Sequence, residues 1–107
     1  MKFGFDRSDI SAEAKAALDA FAAKVAGENK NVYVEIQGHT DNIGSPEYNL
    51  TLGQARAEAV MRHLAMQHSF PLHRMSVISY GSAKPIADNA ARQGRANNRR
   101  VTLVVLM

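Results

Sequence analysis

The sequence predicts an α+β fold, a two-layer sandwich in which two main helices pack on a mixed sheet of about four strands in a βαβαβ-type core. Three observations carry this expectation. Val32, Val34 and Ile36 alternate with Tyr33, Glu35 and Gln37, the period-two pattern of a strand with one buried face. Two stretches, from Ser11 to about Ala26 and from Pro46 to Gln67, repeat their apolar residues at helical spacing. Val101 to Leu106 is a short apolar run with the length and composition of a strand covered on both faces.

At the N-terminus, Phe3 and Phe5 would share one face of a short first strand, with Gly4 between them allowing close backbone approach. Asp6-Arg7-Ser8-Asp9 turns the chain. Ser11 is an N-cap for the first helix, Ala14, Leu18, Phe21 and Val25 form its buried stripe, and Gly27 stops it. Lys15, Asp19 and Lys24 read as its solvated face. A polar turn at Glu28 to Asn31 leads to the strand Val32 to Gln37, which Gly38 ends.

His39, Thr40, Asp41, Asn42 and Gly44 then favour a loop. Ser45-Pro46-Glu47 combines a capping hydroxyl, a proline at the first helical position and a carboxylate against the helix dipole, so a second helix begins here. Leu52, Ala55, Ala59, Val60 and Leu64 make its expected buried stripe, which leaves Asn49, Gly53 and Arg56 on an adjoining stripe and Arg56 on an exposed face. Ser69 to Arg74 is a loop, and Met75 to Tyr80 a third strand, parallel to the preceding one because a helix connects them. Gly81 to Gly94 is irregular with short helical turns, and Asn98-Arg99-Arg100-Val101 opens the last strand.

Composition narrows the function. The 107 residues, 46% hydrophobic and 21% charged, suit one globular domain spanning residues 1–107, with a core large enough to need neither disulfide nor metal. Cysteine is absent, which removes thiol chemistry without assigning a compartment. No apolar run approaches the roughly 20 residues of a membrane span, and Met1-Lys2-Phe3 does not open a signal peptide. The net charge of +3 is modest, although basic residues gather in the C-terminal third. RQGRANNRR alone suggests a nucleic-acid patch, but aromatics are sparse around it and no stacking motif accompanies it, so no nucleic acid is expected.

Catalytic and metal-binding readings find little support. No nucleophile elbow, phosphate-binding loop or pair of glycosidase acids is present, so the chain is read as a binding protein and not as an enzyme. The pairs His39 with Asp41 and His63 with His68 lack recognised ligand spacing, and neither metal nor cofactor is expected. What remains is an aspartate, Asp41, on the loop feeding a helix and an arginine, Arg56, about two turns into that helix. The two could face one small zwitterion, each taking the opposite charge, or form a structural ion pair.

GHTD at Gly38 to Asp41, EYN at Glu47 to Asn49, LGQARA at Leu52 to Ala57, YGSAKP at Tyr80 to Pro85 and NRRV at Asn98 to Val101 together resemble the OmpA-like C-terminal domain, the peptidoglycan-binding module of outer-membrane and flagellar-stator proteins. The resemblance spans essentially the whole chain. FGFD at Phe3 to Asp6 and the glycine of LGQARA are similar to the peptidoglycan-associated lipoprotein branch, and GHTDNIG to the OmpA branch.

The resemblance implies a periplasmic domain of an envelope-anchored protein, not itself membrane-inserted, and a chain excised from its targeting segment. It implies that Asp41 and Arg56 hold meso-diaminopimelate, the cross-linking residue of the Gram-negative stem peptide, with Thr40 beside Asp41 in the same motif. Main-chain groups at Phe5 and Asp6 would form the opposite wall, although Phe5 also reads as core and Asp6 as a turn former. Asn49 and Leu52 would shape the pocket edge, and Arg95, Asn98 and Arg99 would brace the binding loop. A periplasmic protein of the Tol or stator type is the alternative partner for the same surface.

Overall fold

In the computed structural model, which describes residues 1–27 and 31–106, the strand Tyr33–His39 (β1) lies between the other two. Met75–Gly81 (β2) pairs parallel to it and Arg100–Leu106 (β3) antiparallel, giving a three-stranded mixed sheet in the order β2-β1-β3. Helix α1 (Ala12–Gly27) precedes β1, α2 (Pro46–His68) connects β1 to β2, and α3 (Arg92–Asn98) precedes β3. The two-layer α+β expectation therefore holds with one strand fewer. The turn expected at Glu28 to Asn31 falls, apart from Asn31, outside the described residues.

The missing strand is the N-terminal one. Lys2 makes a single antiparallel bridge to Arg100, and Phe3 is buried while Phe5 is 60% exposed, so the two phenylalanines do not share a face. The chain leaves extended conformation at Asp6, whose φ of 55° is left-handed, and the amide of Arg7 closes a turn on the carbonyl of Gly4. β3 is consequently a sheet edge beyond that one bridge, and Thr102, Val105 and Leu106 are exposed rather than covered on both faces.

Gly38 does not end β1. It pairs with Ser79 on β2 and Val101 on β3, and the strand continues through His39. A Cβ on Gly38 would stand 1.8 Å from the carbonyl oxygen of Gly53, so the strand and α2 touch backbone to backbone here. The helix glycine is explained by the same approach: a Cβ on Gly53 would lie 2.3 Å from Ser79 Oγ.

Both long helices begin where the sequence places them. Ser11 Oγ accepts from the amide of Ala14 at 3.1 Å, and Ser45 Oγ from that of Tyr48 at 3.1 Å with Pro46 at the first helical position. α2 is rotated from the expected orientation, however. It buries Asn49, Gly53, Arg56, Ala57, Val60 and Leu64, while Leu52, Ala55 and Ala59 are only partly covered. Its close approach at Gly53 turns that stripe toward β1. The core joins Leu18 and Ala22 of α1, Val34 and Ile36 of β1, Ala57, Val60 and Leu64 of α2, and Val101 of β3. The last helix, α3, replaces the expected irregular segment around residue 94 and carries Asn98 at its end, so β3 starts only at Arg100.

Candidate ligand pocket at the start of the second long helix

The side chain expected on an exposed face is the largest fully buried one: Arg56 has 0% exposure. Its guanidinium donates from Nε to the carbonyl of Arg7 at 2.8 Å, from Nη1 to that of His39 at 2.9 Å and from Nη2 to that of Gly4 at 3.0 Å. The Phe3 ring lies 5.5 Å from its central carbon. Burial lowers its pKa to about 10, an effect that Asp41 opposes, so the group stays charged at neutral pH. Three of its five N–H groups are used, leaving one on each terminal nitrogen.

Asp41 follows β1 on the loop that enters α2. One carboxylate oxygen accepts from the amide of Ile43 at 3.0 Å and the other from Arg99 Nη1 at 3.3 Å. Arg99 also donates from Nε to the carbonyl of Phe3 at 3.0 Å, so it ties the loop to the N-terminal segment. Asp41 and Arg56 line one cavity of about 200 Å³. Phe5, Asp6 and Arg99 form further wall, and Ile43, Gly44, Tyr48, Asn49 and Leu52 complete it. Two carboxylates and two guanidiniums therefore face the same small space.

Of the residues expected to bind ligand, Asp41, Arg56, Phe5, Asp6, Asn49 and Leu52 all line this cavity. Thr40 does not: its hydroxyl donates to the carbonyl of Asp41 at 2.8 Å, and its amide to that of Gly81 at 2.9 Å. Of the expected braces, Arg99 reaches the loop, whereas Arg95 and Asn98 serve the segment before α3. Asn98 Oδ1 accepts from the amides of Ile86 and Ala87 at 2.8 and 3.0 Å, and Arg95 donates to the carbonyls of Asn89 and Ala90 at 2.9 and 3.3 Å.

Tyr48 is a wall residue that sequence reasoning did not single out. Its hydroxyl donates to Asp6 Oδ1, linking α2 to the N-terminal segment at the exposed edge of the pocket, and this bond raises its pKa. Its spacing of four from Leu52 was the available signal. Two buried polar groups near the loop lack protein partners among the described residues. One is Asn49 Nδ2 in the pocket wall; the other is the imidazole of His39, which stacks on Tyr80 at 5.4 Å between centroids. Burial, with Arg100 and Lys84 adding to it, pushes the His39 pKa down to about 4.

The pocket lies where a strand end, a helix start and the N-terminal segment meet, and the chain belongs to the OmpA family, whose model matches residues 2–99. Among its relatives is the peptidoglycan-associated lipoprotein of Pseudomonas aeruginosa, 43% identical over 101 residues that make up 94% of this chain and 58% of that protein. The chain thus spans little more than half of that relative. The crystal structure of the peptidoglycan-associated lipoprotein from Burkholderia pseudomallei superposes with a TM-score of 0.90 at 36% identity, covering 98% of this chain and 87% of that one. The cell wall anchor of the T6SS from Pseudomonas aeruginosa superposes with a TM-score of 0.77 at 29% identity, covering 95% of this chain and 72% of that one. No described helix is long and apolar enough to cross a membrane.

Proposed function

We propose that the domain binds peptidoglycan non-catalytically, through the meso-diaminopimelate residue of the stem peptide, and so tethers an outer-membrane or envelope complex to the cell wall from the periplasm. The observation that carries this reading is the convergence of Asp41 and Arg56 on one cavity of about 200 Å³. That is smaller than the roughly 300–1,000 Å³ of sites enclosing drug-sized molecules, and it suits one amino-acid head group rather than a sugar-peptide unit. Its wall carries the charges of Asp6 and Asp41 against those of Arg56 and Arg99, a balance that fits a zwitterion better than a polyanion. The names of the relatives, a peptidoglycan-associated lipoprotein and a cell wall anchor, support the same partner.

In this reading the diaminopimelate carboxylate takes the remaining N–H groups of Arg56 together with the unpartnered Asn49 Nδ2, and the ammonium takes Asp41. The positive end of α2 adds to the potential at the carboxylate. Arg56 is buried within this wall, and the hydrogen bond from Tyr48 to Asp6 lies along the exposed edge of the same pocket. Lysine-type stem peptides lack the second carboxylate and leave those donors unpaired, which costs on the order of 1–3 kcal/mol. Calorimetric titration with otherwise identical stem peptides carrying meso-diaminopimelate or lysine tests the assignment: a preference of about fivefold or more for the diaminopimelate peptide is expected, and equal affinities reject it.

A further inference from the structure

We propose that Asp19, His63 and His68 form a divalent-metal site that clamps α1 to α2, with Zn²⁺ as its fitting ion. In the structure both imidazoles aim Nε2 at one carboxylate oxygen: His63 at 3.0 Å and His68 at 2.6 Å from Asp19 Oδ1. The three donor atoms all lie within 4.8 Å of one another. A tetrahedral ion about 2.0–2.1 Å from each ligand holds its donors roughly 3.3 Å apart, so the two nitrogen–oxygen distances need change by less than about 1 Å for coordination. Two imidazoles and a carboxylate are a donor set suited to zinc, and the 55% side-chain exposure of Asp19 leaves room for water as a fourth ligand.

The rings are not loosely placed surface histidines. Their side chains are only 12% and 26% exposed, and they pack edge to face with centroids 5.6 Å apart. Five residues of separation puts His63 and His68 about 140° apart around an ideal helix, which is why their spacing reads as no motif. It is Asp19, brought across from α1, that gives both rings a common target. From Asn49 in the pocket to His63 is about 20 Å along α2, so metal and pocket can be probed separately.

Titration of the untagged chain with Zn²⁺ should show one saturable equivalent. It should also raise the melting temperature by about 5 °C or more at a tenfold excess over the dissociation constant. Asp19→Asn and the pair His63→Gln with His68→Gln should each weaken binding at least about tenfold. In the unaltered chain, the ring resonances of His63 and His68 should move on adding Zn²⁺ while those of His39 and His73 stay. Absence of a saturable equivalent, unchanged affinity in the folded variants, or a response centred on His73 would each overturn the site.

Discussion

The two halves of α2 are buried to a similar degree by opposite means. Beyond Arg56, the helix puts Ala57, Val60 and Leu64 into the apolar core shared with Leu18 of α1 and Ile36 of β1, an arrangement that needs no partner-by-partner matching. Before that point it buries Asn49, Gly53 and Arg56. There a guanidinium is held by three backbone carbonyls and an aromatic ring, and the helix meets β1 through two glycines. Burying a charge is unfavourable unless its donors are paired, so the first half is the less efficient way to stabilise a fold. Its retention makes sense if those groups also position a ligand, and the difference between the halves can be tested by breaking each.

The largest effect is expected from Arg56→Ala, which strands the carbonyls of Gly4, Arg7 and His39 and opens a cavity. It should lower stability by on the order of 3–5 kcal/mol in urea denaturation and abolish retention on purified sacculi. Leu64→Ala should cost about 3 kcal/mol from lost burial and a residual cavity, with the ligand affinity of the folded fraction unchanged. If Leu64→Ala altered affinity as strongly as Arg56→Ala, the proposed division between the halves would fail.

Acid sharpens the same contrast at the polar end. The folded His39 ring protonates near pH 4, against 6.5 for the ordinary side chain, so between these values the unfolded chain takes up a proton that the native ring refuses. The His39 contribution to stability is full above about pH 6.5 and is lost as pH falls to about 4, a change on the order of 3 kcal/mol. In His39→Phe that part of the pH dependence should vanish from denaturation curves measured across the interval. The smallest effect is expected from Asn49→Leu, which removes a buried amide whose Nδ2 has no protein partner among the described residues. Stability should stay within about 1 kcal/mol of the parent chain while diaminopimelate binding weakens.

The same division explains how much could be read from the sequence. Local signals were reliable: the Ser11 and Ser45 caps, Pro46, and the alternation through Ile36 each act over a few residues and appear as expected. That Asp41 and Arg56 border one cavity was also legible, because the aspartate lies on the loop feeding the helix that carries the arginine. The burial of Arg56 was not, since its carbonyl partners Gly4 and Arg7 lie 52 and 49 residues away and carry no side-chain signature. Gly38 looked like a strand end because glycine disfavours strands; only its approach to Gly53 shows why the strand tolerates it. α3 was missed because seven residues without a side-chain cap leave little periodicity to read.

The pocket wall joins distant parts of the chain. Arg99 bonds to Phe3 across 96 residues and to Asp41 across 58, while the N-terminal segment supplies two of the carbonyls that orient Arg56. A nascent polypeptide in which Arg99 is still inside the ribosome therefore lacks an assembled pocket wall, however well its first helix has formed. On the proposed function, ligand capture therefore depends on residues from both ends of the described chain coming together.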